Sequence, residues 1–314
     1  MVAKHPTTFL ASIDIGTNSV LLLIAQWDGQ HLQPITEMFR VTRLGERFQQ
    51  SGQIGEAAIR RTESVLKEYR KVIQAAGVKR IWCTATQIFR VAANGKVVAE
   101  HLGQIIGAPV TILSETAEAA LTFLGALDSV KNNHATYWAI DIGGGSTEVG
   151  LGSYDQLQLT RSFPQGGVSL LETVMREEQL TTKEIEAIQN IMHQYWQQLP
   201  SKPYPIIGIG GTPTTLAALH QQLAVYNFEK IDGYRLQLHQ IKEMFTHLNA
   251  LPLKARRKLP GMAEGRADVI LPATVVLQSF MEYVGTTELI VSARGLRYGI
   301  LLWHLKENRW PVQL

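Results

Sequence analysis

The sequence predicts an α/β chain of two related domains, and three observations carry that prediction. Apolar strand residues deliver a carboxylate into a bend of three glycines at Ala139-Ile140-Asp141-Ile142-Gly143-Gly144-Gly145-Ser146-Thr147-Glu148. The same arrangement stands near the N-terminus as Ser12-Ile13-Asp14-Ile15-Gly16-Thr17-Asn18-Ser19, where Asp14 matches Asp141, Gly16 matches Gly143 and Ser19 matches Ser146. Each copy is followed by a strand meander and then by helical stretches, so one folding unit begins twice. A third strand-to-glycine bend, Ile207-Gly208-Ile209-Gly210-Gly211-Thr212, comes later. Bends of this kind turn backbone N–H groups toward a phosphate.

Composition bounds the answer. At 314 residues and 45% hydrophobic content the chain can bury two cores, and a disordered protein is excluded. A net charge of +3 suits an anionic partner but is too small and scattered for a nucleic-acid-binding domain. The one cysteine, Cys83, lies in the apolar run Ile81-Trp82-Cys83-Thr84 and reads as a buried, inert thiol in a reducing compartment. No apolar leader precedes the first strand, and the longest apolar run, Val20 to Ala25, is too short to span a bilayer. A cytoplasmic protein with no membrane partner is expected.

The elements follow in order. Phe9 to Ile15, Val20 to Trp27 and Leu32 to Val41 read as an antiparallel meander, with Asp28-Gly29 as a hairpin signal. Gly55 to Ala76 is an amphipathic helix, with Ile59, Val65, Leu66, Tyr69 and Ile73 on one face and Gly77 closing it. A strand from Val78 to Thr84 leads into a helix carrying Arg90 in its first turns. There Arg90 is either a solvated helix arginine or a phosphate ligand at a strand's C-terminal end. Val110 to Leu113 is a short strand, and Ser114 caps the helix that holds Glu115 and Glu118. Acids in a first turn favour the helix dipole by themselves, so Glu118 needs context to count as catalytic.

Asp128 to His134 reads as a linker, after which Tyr137 to Ile142, Thr147 to Leu151 and Leu157 to Phe163 repeat the meander. Helices are expected over Gly167 to Arg176 and over Thr181 to Gln198, the latter capped by Thr181 or Thr182 near Glu184. Pro205 to Ile209 is a strand, and Pro213 to Gln222 a helix with its proline placed harmlessly near the start. Leu238 to Leu248, Pro252 to Leu259 and the very apolar Arg266 to Val284 read as helices. Glu288 to Val291 is the last strand, and Leu296 to Lys306 the last helix.

Asp14 and Asp141, at the ends of equivalent strands, would form a cradle of carboxylates for Mg²⁺ and N–H groups for phosphate oxygens. A glutamate that orients water, Glu118 or Glu148, together with Arg90, completes a set sufficient for phosphoryl transfer to water. The plain alternative is that the aspartates cap turns. Nine histidines show no metal-ligand spacing, and neither a Gly-x-Ser-x-Gly elbow nor a Walker lysine is present. Zinc hydrolases, serine hydrolases and P-loop enzymes are therefore not indicated. The basic run Lys254, Arg256, Arg257, Lys258 reads either as a guide for a polyanion or as a solvated helix face.

Five stretches together resemble the exopolyphosphatase/guanosine pentaphosphate phosphohydrolase (Ppx/GppA) family. They are Ile13 to Ser19, Ile140 to Glu148, Gly210-Gly211-Thr212, Arg266-Ala267-Asp268-Val269-Ile270 and Ser292-Ala293-Arg294-Gly295-Leu296-Arg297, and the match covers nearly the whole chain. The resemblance implies the actin/Hsp70/sugar-kinase superfold, with two ribonuclease-H-like domains and the active site in the interdomain cleft. The domains would be 1–128, with 296–314 packing back on it, and 129–295.

The resemblance also implies a Mg²⁺- or Mn²⁺-dependent hydrolase. It would release terminal orthophosphate from polyphosphate or convert pppGpp to ppGpp, the guanosine penta- and tetraphosphates of the stringent response. Glu118 and Glu148 would be catalytic, and Asp14, Asp141 and Glu148 would hold metal. Asn18, Ser19, Arg90, Gly144, Gly145, Ser146, Thr147, Gly210, Gly211 and Thr212 would bind phosphate. A homodimer is the family expectation.

One segment departs from the pattern. The family's Ser-Gly-x-Glu-Glu-Ala-Arg run is here Ser114-Glu115-Thr116-Ala117-Glu118-Ala119-Ala120, so the second glutamate survives and the arginine is lost. That change motivates the alternative of a weak or inactive regulatory protein that binds alarmone or polyphosphate. A sugar or acetate kinase of the same superfold is a third reading, which the Glu118 segment and the Ser292–Arg297 run disfavour.

Overall fold

The computed structural model describes residues 8–29, 32–130 and 135–305. Residues 131–134 of the expected linker, Lys306 of the expected last helix, and the tail to 314 lie outside the described residues. The described residues fall into two compact units, one within Met1–Gly125 and Leu296–Leu314, the other Ala126–Gly295.

In the first unit the chain forms β1 (Thr8–Ile15), β2 (Ser19–Trp27), β3 (Leu32–Val41), α1 (Phe48–Ser51), α2 (Glu56–Ala75), β4 (Arg80–Ala85), α3 (Gln87–Val91), α4 (Gly95–Ile106), β5 (Val110–Ile112) and the start of α5 (Glu115–Leu127). The sheet order is β3-β2-β1-β4-β5. The expected meander is present, since β1, β2 and β3 pair antiparallel while β4 and β5 join parallel through helical crossovers. Helix α2 buries Ala58, Thr62, Leu66, Tyr69 and Ile73 on one stripe. It ends as expected, with Gly77 at φ 64 and the Gly77 and Val78 amides donating to the carbonyls of Gln74 and Ile73, a Schellman closure. Cys83 is buried, as expected, and desolvation pushes its thiol well above the ordinary range.

In the second unit follow β6 (Tyr137–Ile142), β7 (Thr147–Gly152), β8 (Leu157–Phe163), α6 (Gly167–Thr173), α7 (Thr182–Trp196), β9 (Ile206–Ile209), α8 (Gly211–His220), α9 (Phe228–Ile231), β10 (Arg235–Gln237), α10 (Leu238–Ala250), α11 (Leu253–Arg256), α12 (Ile270–Val284) and β11 (Glu288–Ser292). The sheet order is β10-β11-β9-β6-β7-β8. Read from the meander edge, β8-β7-β6-β9-β11 repeats β3-β2-β1-β4-β5 strand for strand, with β10 added antiparallel at the far edge. Both units therefore have the ribonuclease-H-like order, and the fold is the one the sequence predicts. Helix α12 is buried along nearly its whole length, because Ile270 to Val284 is apolar on all but the side that carries Ser279 and Glu282. Thr181 caps α7 in a reciprocal capping box with Glu184.

The last helix, α13 (Leu296–Leu305), belongs to the first unit. Its Leu296 and Ile300 pack with Leu113, Ala117 and Leu121 of the β5–α5 segment. Ser12 donates to the Arg297 carbonyl at 2.7 Å, and the Arg297 guanidinium meets Glu37 of β3 at 2.8 Å. A Cβ at Gly299 would stand 2.6 Å from the Leu121 carbonyl carbon, so only glycine lets α13 cross α5 this closely.

Four expectations change. The helix expected after β4 is two, α3 and α4, because Ala92 turns to extended backbone between them. Helix α8 starts at Gly211 itself rather than at Pro213, so the third glycine bend is a helix N-terminus. The helix expected from Arg266 begins at Ile270, and residues 266–269 form turns. The basic run is not one face: Arg256 is buried, donating to the carbonyls of Ala267 and Glu178, while Lys254, Arg257 and Lys258 are exposed. Among the described residues no helix is long and apolar enough to cross a membrane.

Candidate active site

The two repeated turns are built alike down to single hydrogen bonds. The Gly16 amide donates to the Ser19 carbonyl at 2.9 Å, and the Gly143 amide to the Ser146 carbonyl at 2.9 Å. Each turn is then tied back by amides from the segment after the third strand of its meander. In the first unit Thr42 and Arg43 donate to the Asn18 carbonyl, and Gly45 to the Thr17 carbonyl. In the second, Gly167 donates to Gly143, and Val168 and Ser169 donate to Gly144. With those carbonyls engaged, each turn is held rigid.

Strand register shows where the repeats part. Asp14 stands across from Leu21, which stands across from Phe39, whereas the matching row in the second unit is Asp141, Glu148, Ser162. Residues paired across strands share a face, so the second unit presents two neighbouring carboxylates and a hydroxyl where the first presents one carboxylate and two apolar groups. Glu148 is buried, and its Oε1 accepts from Ser146 Oγ at 2.5 Å and from Ser162 Oγ at 2.8 Å. Those two hydroxyls fix its orientation. Ser162 was not foreseen as part of this site, although extending the meander register by one strand reaches it.

The third bend meets the same row. Asp141 pairs with Ile209 at the end of β9, and the chain then turns through Gly210 at φ 80 into α8. A Cβ on Gly210 would press against the Asp141 carboxylate, so the glycine lets that carboxylate lie on the backbone at a helix N-terminus. A Cβ on Gly211 would fall on the Arg266 guanidinium. Desolvation pushes the Asp141 carboxyl up to about 6, against the pull of Arg266. Burial likewise draws the Arg266 guanidinium down, opposed by Asp141 and Asp268. Arg266 is a further member of this site, and the run containing it carries part of the family resemblance.

In the first unit the structure joins two of the expected residues. Arg90, near the end of α3, places Nη1 2.5 Å from Glu118 Oε2 and 2.8 Å from the Leu113 carbonyl. Ser114 accepts the Ala117 amide at 3.2 Å, the expected cap of α5, and Glu118 lies in that first turn. Thr147 and Thr212 are buried rather than presented, and the Thr147 hydroxyl donates to the Gln165 carbonyl at 2.6 Å. The Thr147 hydroxyl proton therefore supports the turn. Gly144, Gly145, Gly210 and Gly211 are partly exposed, as are Asn18 and Asp14, whereas Ser19 and Ser146 are buried.

A family model described as the Ppx/GppA phosphatase family matches residues 23–308. The chain belongs to the Ppx/GppA phosphatase family. Exopolyphosphatase 2 of Mycobacterium tuberculosis is 29% identical over 94% of this chain and 98% of its own length. The guanosine-5'-triphosphate,3'-diphosphate pyrophosphatase of Pseudoalteromonas translucida is 25% identical over 97% of this chain, which spans 61% of that longer protein. The crystal structure of the Aquifex aeolicus family member superimposes with a TM-score of 0.83 at 33% identity, covering 96% of this chain and 98% of that one. As a Ppx/GppA phosphatase, the chain is a hydrolase of acid anhydrides, and its two α/β units carry that family's fold.

Proposed function

We propose that this Ppx/GppA phosphatase releases terminal orthophosphate from inorganic polyphosphate, or from the 5′ end of pppGpp to leave ppGpp, with Glu118 as the base that activates water. The observation that carries the reading is the duplicated turn, tied back by its carbonyls and flanked by an acid in both units. A near-full-length relative named for polyphosphate and a longer one named for the guanosine nucleotide support the two substrates.

In this reading a water held by Glu118 gives up a proton to its carboxylate while the water oxygen attacks the terminal phosphorus. The bridging P–O bond breaks, and its electron pair leaves on the shortened chain. Positioning and charge neutralisation supply most of the acceleration in such transfers. In the first unit the turn amides at Thr17-Asn18 and the Arg90 guanidinium, and in the second the turn amides at Gly144-Gly145, the N-terminus of α8 and the Arg266 guanidinium, are the donors suited to phosphoryl oxygens.

Mg²⁺ or Mn²⁺, when bound, would neutralise phosphoryl charge. The donors fit a hard cation: Asp141 and Glu148 are cross-strand neighbours, Glu148 is oriented by two hydroxyls, and Asp14 ends the equivalent strand. Among the described residues no three His, Cys, Asp or Glu side chains converge as a cage. The sites fit a cation that keeps water and substrate oxygens as ligands, as Mg²⁺ commonly does.

The test is orthophosphate release with Mg²⁺ from polyphosphate and pppGpp in parallel, for wild type and Glu118→Gln. Turnover by wild type and a loss of about 10²-fold or more in the variant, with substrate binding kept, is expected. Binding without turnover by wild type would refute the hydrolase reading and leave the regulatory one.

A further inference from the structure

The geometry points to Arg90 as a positioning residue for Glu118, coupling the orientation of that carboxylate to the phosphate oxygen Arg90 receives. The inference rests on the reading of Glu118 as base. The guanidinium divides its donors unevenly. One nitrogen, Nη1, serves two acceptors, the Leu113 carbonyl at 2.8 Å and Glu118 Oε2 at 2.5 Å. Leu113 is the last residue before the Ser114 cap, so this single atom fastens the carboxylate to the start of its own helix. Glu118 has three side-chain torsions, and ordering such a side chain costs about 1.5–2 kcal/mol of rotamer freedom. The contact with Nη1 selects one orientation.

The other two nitrogens are buried and make no hydrogen bond to protein. Nε and Nη2 form the side-on edge of an arginine, the edge that matches two oxygens of a carboxylate or phosphate at once. Buried donors in folded proteins are nearly always paired, and leaving a polar group unmade costs about 1–3 kcal/mol. Arg90 thus engages protein through one nitrogen and keeps its two-nitrogen edge for an oxyanion. Because the fork is planar and rigid, an oxyanion that draws that edge also moves Nη1, and Glu118 with it. A lysine, with a single nitrogen, cannot fill both places.

The experiment is a double-mutant cycle on the full chain with Mg²⁺ and polyphosphate of defined length, reading kcat and KM separately. Arg90→Lys is expected to lower kcat by about 10-fold or more and to raise KM. In the Glu118→Gln background the same change should leave kcat within about 2-fold while KM still rises, because the kcat effect acts through Glu118. Equal kcat losses in both backgrounds, or a wild-type kcat for Arg90→Lys, would overturn the coupling. Arg90→Ala with added guanidinium gives a second reading: recovery of kcat in the wild-type background but not in Glu118→Gln supports the coupling, and equal recovery or none overturns it. Should Glu118→Gln alone keep wild-type kcat, the base assignment itself fails, a result distinct from failure of the coupling.

Discussion

Replacing Gly210 by alanine tests whether the third bend positions the Asp141 carboxylate. Gly210 has φ 80 and ψ −166, a region that side-chain-bearing residues almost never occupy and that costs about 1–3 kcal/mol to impose. A Cβ built there would stand 3.2 Å from Asp141 Cγ and nearer still to Oδ1, so the carboxylate would have to withdraw by about 1 Å, at an overpacking cost of about 1 kcal/mol. Together these give a loss of roughly 2–4 kcal/mol in stability. A misplacement of about 1 Å in a catalytic array can also cost about 10²-fold in rate.

Gly211→Ala is the matched control. Its Cβ meets the Arg266 guanidinium, the far end of a flexible side chain, and alanine is better than glycine in a helix by about 0.5–1 kcal/mol. Urea unfolding and orthophosphate release on both variants read the two effects. Gly210→Ala is expected to lose both stability and turnover, whereas Gly211→Ala should keep its unfolding midpoint and lose turnover through Arg266. A Gly210→Ala protein with the wild-type midpoint and wild-type kcat/KM would refute the role given to the bend.

Two further outcomes are expected. Ala120→Arg, which restores the arginine of the family run, places a charged side chain at a position only 1% exposed, so it should lower the urea midpoint by the equivalent of about 1–3 kcal/mol. A variant with wild-type stability and raised turnover would show that the arginine can reach a functional position here. The Glu184 carboxylate is held below its ordinary pKa, first by the Thr181 amide and then by the Thr181 hydroxyl and the Arg176 amide, so its stabilisation is present above about pH 4.3 and lost as pH falls through the depressed value. Glu184→Gln should therefore flatten the acid side of the stability profile, and an unchanged slope below pH 4.3 would count against the capping box as its source.

Much of this protein is legible in its residues. Near-continuous apolar strands carrying Asp14 and Asp141 at their ends, each followed by glycine and a hydroxyl residue, mark two meanders with like turns, because runs buried on both faces belong to the inside of a covered sheet. Gly77, Ser114 and Thr181 mark helix ends by local chemistry, and the structure places each there. Local rules failed where non-local contacts choose the boundary. Helix α8 begins at Gly211 because the bend packs Gly210 on Asp141 and Gly211 on Arg266, partners far apart in sequence.

The inequality of the two repeats was only half visible. Glu148 and its match Leu21 can be read from the strings, but Ser162 joins Glu148 only through pairing of β7 with β8. The Arg90–Glu118 contact spans 28 residues and required the crossover that brings the end of α3 to the start of α5. Sequence by itself determined most of the element types, the repeat and the family, since these depend on residue type and spacing along the chain, while the short α1, α9 and β10 passed unread. Tertiary structure decided which donor meets which carboxylate, since burial, register and a shared guanidinium nitrogen depend on distances in space that no linear spacing fixes.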